Sequence, residues 1–308
     1  MMYYFIFTVF FCCGSPMKNQ RPNGFIDIQG HRGARGVRPE NTKAAFRYAL
    51  EQGINTIELD TVLTADDKLV VHHDLFTNPK LCTGNKGEEI ARWEIRTLKM
   101  AALRELNCGT KPDPNFPEQI LSQHEKLITL KDFFQFIKDL ESTESHAKSI
   151  RFNIELKFAE NPESIDVEKA VQRALKVIEQ ADMVSRSSVQ SFHLPALVLI
   201  KRYNPDIIRA ALFMPTNREA LSTMIGLNGS AKEILGKATA LDVDIISPHQ
   251  LYVNSDFVIE AHKQKMKVVP WTVNDKERMK ELLGYGVDGI ITDYPATMLE
   301  ALQEFQVK

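Results

Sequence analysis

Residues 151–157 read Arg-Phe-Asn-Ile-Glu-Leu-Lys, and a few positions later comes Asn161-Pro162. In an extended chain Phe152, Ile154 and Leu156 share one face, while Asn153, Glu155 and Lys157 share the other. Asn161 followed by Pro162 reads as an N-cap with a first-turn proline, and Val167, Val171, Ala174, Leu175 and Ile178 then recur at helical spacing. A strand feeding a helix in this way is one βα unit. Further strand patterns lie at 25–29, 55–60, 69–73, 188–192, 207–212, 243–247, 267–272 and 289–292, with helices near 43–52, 130–140, 194–203, 275–283 and 296–305. Such alternation builds a parallel sheet, open or closed.

With 151–157, nine strand patterns compete for the eight places of a (β/α)8 barrel. The stretch 64–68 is too short to hold a crossover helix, so one pattern is surplus, and the spacing leaves open which. Over about 75–128 the rhythm stops and Asn, Gly, Pro and charge dominate, which reads as an insertion over one end of the barrel. The expected organisation is a leader over 1–20 and one domain over 21–308.

The chain has 308 residues, 44% hydrophobic and 25% charged, the balance of ordinary globular proteins. Its 38 basic and 40 acidic residues leave a net charge of -2, so no global field recruits nucleic acid or an anionic membrane surface. Any anionic ligand has to be held locally.

The first residues, MMYYFIFTVFFCC, are apolar, and no charge precedes Lys18. They read as a leader, too short for a bilayer core that needs about 20 apolar residues. Phe10-Phe11-Cys12-Cys13-Gly14-Ser15 resembles the cysteine-ending signal of bacterial lipoproteins. That implies export, with the mature protein periplasmic or tethered through a lipidated Cys12 or Cys13; a plain cleaved signal and a misplaced start codon stay open beside it. Cys82 and Cys108 then remain, and in an oxidising compartment the even count suggests a bridge, with two buried thiols as the alternative.

A strand buried on both faces should be apolar throughout. Residues 55–60 break that rule by placing Glu58 and Asp60 on one face, and 151–157 break it with Glu155. Three converging carboxylates repel one another unless a cation sits between them, and oxygen-only ligands favour Ca²⁺ or Mg²⁺ over zinc. Each pair taken alone more readily suits an amphipathic edge strand with a solvated face. His31 follows a short apolar strand in Gln29-Gly30-His31-Arg32-Gly33, and His73 ends 69–73 just before Asp74. Two histidines at strand ends beside carboxylate-bearing strands supply the acid and base that ester hydrolysis needs.

His31-Arg32-Gly33, Pro39-Glu40-Asn41-Thr42, Glu58-Leu59-Asp60 and His73-Asp74, in that order, resemble the signature of the glycerophosphodiester phosphodiesterase family. The resemblance continues through Asn153-Ile154-Glu155-Leu156-Lys157, Gln190-Ser191-Phe192, Trp271-Thr272-Val273-Asn274 and 289–295, covering nearly everything from Phe25 onward. It implies a TIM-type barrel with an insertion after the third strand, a divalent metal on Glu58, Asp60 and Glu155, and hydrolysis of a small glycerophosphodiester to sn-glycerol 3-phosphate and an alcohol. It further implies that His31 and His73 are the acid–base pair and that Arg32 and Lys157 hold the phosphate.

His72 and His73 fall on opposite faces, and the family pattern selects His73, which stands directly before Asp74. Glu40 reads either as a further metal or water ligand or as a loop residue ahead of a helix capped by Asn41 or Thr42. Phe192 and Trp271 read as walls of the glycerol or head-group pocket, or as packing. His193 stands where the family often has an acidic residue. Two other functional readings remain: a phospholipase acting on lysophospholipids or phosphoinositides, which requires an apolar ramp that 75–127 does not display, and a lipid-tethered binding protein that has lost activity.

Overall fold

The computed structural model describes residues 25–216 and 229–307. The expected leader, with Cys12 and Cys13, lies outside them. β1 (Asp27–Gly30) leads to α1 (Lys43–Glu51), which Thr42 caps by accepting a hydrogen bond from Ala45 N at 3.1 Å. β2 (Thr56–Leu63) then turns back through 64–68 into β3 (Leu69–Val71), which pairs with it antiparallel, Thr61 opposite Val71 and Leu63 opposite Leu69. This identifies the surplus strand pattern as 69–73. A connection without a helix can return a chain only antiparallel, and Asp67, at φ 51°, takes the left-handed conformation the turn requires.

The β2–β3 ribbon presents its two faces to two cores. Leu63, Leu69 and Val71 enter the main hydrophobic core. Val62 and Val70, alternating with them, enter a second cluster with Cys82, Ile95, Met100, Leu103, Leu106, Cys108 and Leu127. That satellite core belongs to the stretch between the ribbon and the next barrel helix. It contains β4 (Thr83–Gly84), α2 (Met100–Leu103) and β5 (Leu106–Asn107), with β4 and β5 antiparallel and a Cys82–Cys108 disulfide beside them.

The βα succession resumes with α3 (Leu130–Glu141), β6 (Arg151–Leu156), α4 (Ser164–Gln180), β7 (Ser187–Ser191), α5 (Leu194–Tyr203) and β8 (Ile208–Phe213). It ends with α6 (Gly229–Ala240), β9 (Ile245–Pro248), α7 (Ser255–Lys263), β10 (Lys267–Val268), α8 (Lys276–Tyr285), β11 (Gly289–Thr292) and α9 (Pro295–Gln306). The start of α4 departs from expectation: Glu163, not Asn161, is the residue before its first turn. Helices α6 and α7 were not among the sequence expectations, since α6 carries Gly236 and few large apolar residues and α7 has only 9 residues.

The eight parallel strands run in the order β10-β9-β8-β7-β6-β2-β1-β11, with β3 outside the ring on β2. Between the two ends of that path, Asp288 N donates to Val268 O at 2.9 Å, Ile291 N to Pro270 O at 3.0 Å and Val273 N to Ile291 O at 3.0 Å. These bonds all but close the ring into the TIM-type barrel. Pro270 cannot donate, so β10 is only two residues long although the chain stays extended to Thr272. Phe46, Phe133, Phe134 and Phe152 form an aromatic cluster in the main core, with ring centroids 4.9 to 5.6 Å apart. Among the described residues no helix is long and apolar enough to cross a membrane.

Candidate active site

In the register of the barrel, Asp60 on β2 lies opposite Glu155 on β6, and Glu58 lies opposite Asn153. Parallel pairing keeps paired residues on the same face, so all three carboxylates point into one end of the barrel. They are buried, and each offers a ligand oxygen within 4.8 Å of the others. Burial pushes the Glu58 carboxyl well above its usual range, and the charges of Asp60 and Glu155 add to that. Glu155 also lies high because of burial, although Lys157 opposes the shift. Burial would raise Asp60 too, but Lys157 and Arg32 outweigh it and hold Asp60 well below the ordinary range.

Such a set is poorly balanced by the protein alone. Lys157 Nζ lies 2.6 Å from Glu155 Oε1 and 3.1 Å from Asp60 Oδ1, yet neither oxygen accepts a well-directed hydrogen bond. Two buried carboxylate oxygens thus face a single ammonium. Clustered, buried and oxygen-only, the three side chains suit a hard divalent cation, and they can hold one.

Gln190 Nε2 donates to Glu58 Oε1 at 3.0 Å, while Asn153 Nδ2 donates to Gln29 Oε1 at 2.8 Å and Gln190 Oε1 at 2.9 Å. This amide chain across β1, β6 and β7 fixes one Glu58 oxygen. The other, Oε2, accepts from Arg32 N at 2.8 Å. Arg32 adopts φ 49°, a left-handed kink directly after His31 that aims its amide at Glu58. Its side chain turns back: Nη1 donates to Glu40 Oε2 at 2.6 Å and Nε lies 3.3 Å from Asp60 Oδ2. Asn41, at φ 56°, donates from Nδ2 to Asp60 Oδ2 at 2.9 Å. Of the two capping candidates, Thr42 caps α1 and Asn41 serves the carboxylate. Glu40 pairs with Arg32 and Arg35.

His31, at the end of β1, sets Nδ1 2.6 Å from Asp293 Oδ1. Asp293 follows β11, and its other oxygen accepts from Asn274 Nδ2 at 2.7 Å. Burial lowers the His31 imidazole below its ordinary value, and the charge of Asp293 offsets this only in part. A neutral ring whose Nδ1 proton is held by Asp293 leaves Nε2 as an acceptor. His73 places Nδ1 2.8 Å from Asp74 Oδ1, and Asp74 Oδ2 accepts from Asn78 Nδ2 at 2.9 Å. The hydrogen bond from His73 keeps Asp74 well below the usual carboxylate range. His72 is buried on the opposite side, its Nε2 3.1 Å from Phe76 O.

At the mouth, Phe192 and Trp271 meet edge to face with centroids 5.3 Å apart, and the Lys157 ammonium lies 5.9 Å from the Phe192 ring centre. Trp271 Nε1 donates to Ser247 O at 2.8 Å, and His249 packs on the same indole at 5.6 Å. His193 packs against Phe158 with tilted rings, centroids 5.3 Å apart. The structure thus gathers Glu58, Asp60, Glu155, Lys157 and Arg32, with Phe192 beside Lys157 and Trp271 beside Phe192. Sequence reasoning had left Gln190, Asn274 and Asp293 without roles and had read Asn41 only as a candidate cap. A polar side chain inside a strand expected to be buried on both faces was the available signal for Gln190.

A parallel barrel with this concentration of charge at the C-terminal ends of its strands is an enzyme of the TIM-barrel class, with a site suited to a cation and an anionic substrate group. The chain belongs to the glycerophosphoryl diester phosphodiesterase family, whose model matches residues 31–297. A glycerophosphodiester phosphodiesterase of Caldanaerobacter subterraneus subsp. tengcongensis is 30% identical over 280 residues, covering 90% of this chain and 98% of that protein. The crystal structure of a Silicibacter pomeroyi DSS-3 protein assigned as a glycerophosphoryl diester phosphodiesterase superposes with a TM-score of 0.80 at 25% identity, covering 92% of this chain and 94% of that one. An Oleispira antarctica phosphodiesterase, solved in complex with the product sn-glycerol-3-phosphate, gives 0.68 at 23% identity and shares the fold over 91% of this chain and 97% of its own.

Proposed function

We propose that this enzyme hydrolyses small glycerophosphodiesters to sn-glycerol 3-phosphate and an alcohol, with Glu58, Asp60 and Glu155 as the metal ligands and His31 and His73 as proton carriers. The observation that carries the reading is the buried three-carboxylate set facing one ammonium, with each proposed histidine paired to its own carboxylate. Ca²⁺ or Mg²⁺, when bound, supplies positive charge opposite the phosphate oxygens. Burial alone would lower Arg32 and Lys157, but the surrounding carboxylates hold both above their ordinary values, so they are permanent cations for the remaining phosphate oxygens.

His31 is the general base in this scheme. Its neutral imidazole takes a proton from the attacking water at Nε2, and Asp293 stabilises the imidazolium that forms. His73 is the remaining carrier and returns a proton to the departing alcohol oxygen. Phe192 and Trp271 wall the substrate beyond Lys157. The Cys82–Cys108 disulfide supports residence in an oxidising compartment, and with the apolar leader it supports export, either with a lipid anchor at Cys12 or Cys13 or after plain cleavage.

The direct test is release of sn-glycerol 3-phosphate from glycerophosphocholine, measured with and without a chelator. Turnover that stops with chelator and returns with Ca²⁺ or Mg²⁺ supports the scheme. Full turnover in the chelated enzyme removes the metal from it, and no turnover under any condition favours a binding protein.

A further inference from the structure

Arg32 does not face Glu40 alone. Glu40 Oε2 accepts from Arg32 Nη1 at 2.6 Å and also lies 2.9 Å from Arg35 Nε, so a single oxygen is shared between two guanidinium groups. Arg35 in turn donates from Nη2 to Asp113 Oδ2 at 2.7 Å, and its guanidinium stacks over Phe116 at 4.9 Å. Signs therefore alternate from Asp113 through Arg35, Glu40 and Arg32 to Asp60, reaching from the stretch outside the barrel to the carboxylates at its mouth.

Both ends of Arg35 are gripped by the same turn. Asp113 binds its guanidinium, while Gln119 donates from Nε2 to its carbonyl at 2.6 Å and accepts through Oε1 from Asp113 N at 2.8 Å. Asp113 is itself held, accepting from Asn115 N at 2.9 Å through its second oxygen. The participating side chains are largely buried, so these contacts are weakly screened by solvent.

We propose that Arg35 and Asp113 are positioning residues for the phosphate-binding arginine: they hold Glu40 midway between two cations, so that it orients Arg32 without fully neutralising it. A carboxylate left with Arg32 as its only partner would close a two-pronged pair on it and compete with the substrate phosphate. With Arg35 drawing on the same oxygen, Arg32 commits only Nη1 to Glu40. This inference rests on the proposed role of Arg32 as a phosphate ligand.

The test uses the full chain with its divalent cation, glycerophosphocholine as substrate, and calorimetric binding of sn-glycerol 3-phosphate. Phosphate contacts serve ground and transition states alike, so Arg35→Met should raise KM by roughly 10-fold and weaken product binding in parallel, with kcat falling by less than about 3-fold. Asp113→Asn should shift KM the same way by a smaller factor. Arg35→Lys, which keeps the charge but lacks the planar fork, should recover only part of the loss. In an Arg32→Met background, Arg35→Met should add nothing further to KM, whereas a merely structural role would give additive losses. The proposal is overturned by unchanged KM and product affinity in a folded Arg35→Met, or by additivity in the double variant. Should Arg35→Met fail to fold, unchanged KM in the nearly isosteric Asp113→Asn overturns it equally. If Arg32→Met itself leaves KM and product affinity intact, the phosphate-ligand reading falls and this one with it; a large Arg32 effect beside a silent Arg35 removes only the positioning role.

Discussion

His31 and Asp293 stand 262 residues apart in sequence and 2.6 Å apart in space, joined because β1 pairs with β11. The contact fixes which imidazole nitrogen carries the proton. Its consequence for pH follows from sign. Burial holds His31 below its ordinary 6.5, so the base form persists as pH falls through that value. The acid limb of kcat/KM should lie below pH 6.5. Asp293→Asn removes a charge that raises His31, so the limb should move to still lower pH while kcat drops by roughly 10² to 10⁴ through loss of the tautomer. An unmoved limb would detach His31 from the profile.

The two histidines should separate on leaving-group chemistry. His31→Ala and His73→Ala should each lower kcat on glycerophosphocholine by roughly 10² to 10⁴. A p-nitrophenyl diester needs little protonation of its leaving group, so it should largely rescue His73→Ala and leave His31→Ala impaired. Rescue of the His31 variant instead would exchange the two roles.

His72 supplies the contrast. It is buried with Nε2 against Phe76 O at 3.1 Å, so His72→Ala leaves a carbonyl without its partner. The expected loss is about 1–3 kcal/mol of stability, with kcat within a few-fold of wild type. A drop in kcat comparable to that of His73→Ala, measured at a temperature where the variant is folded, would contradict the assignment.

Metal should stabilise as well as activate. Saturating Ca²⁺ or Mg²⁺ at about 100 times its Kd should add roughly 2.7 kcal/mol to unfolding and raise Tm accordingly. Glu155→Gln keeps the shape but withdraws a charged ligand, so it should lose most of that shift and most activity. Identical Tm values with metal and with chelator would count against the site.

Cys82 and Cys108 are both buried, so native alkylation is uninformative. Unfolded without reductant, the protein should show no thiol from this pair. With reductant it should show both, and melt earlier by the roughly 3 to 4 kcal/mol that closing a loop of separation 26 contributes in the chain-entropy model. Two free thiols without reductant would rule out the bridge.

Much of this architecture was legible in the sequence because barrel strands and helices write different periods, and because Glu58, Asp60 and Glu155 interrupt apolar runs. The surplus strand was not, since Leu69 to Val71 looks the same whether it pairs parallel or antiparallel; the return is decided by pairing with Thr61 to Leu63. Arg35 and Asp113 were equally hidden. Each is an unremarkable charged residue in a loop, and only the fold brings the guanidinium of one onto the carboxylate of the other. Asn41 read as a cap because Asn and Thr are both good caps; its positive φ and its bond to Asp60 are tertiary facts.

The pairing of β1 with β11 also orders events in the life of the chain. During synthesis β1 emerges well before its outer neighbour β11, and the carboxylate partner of His31 follows that histidine by 262 residues. A chain that ends before Gly289 can still possess every carboxylate of the proposed metal set, yet it has an unpaired edge on β1 and an unanchored imidazole. Synthesis through β11 is thus built into the proposed chemistry: translation must pass Asp293 before the proposed base can be set, and a product interrupted earlier carries an exposed strand edge on β1.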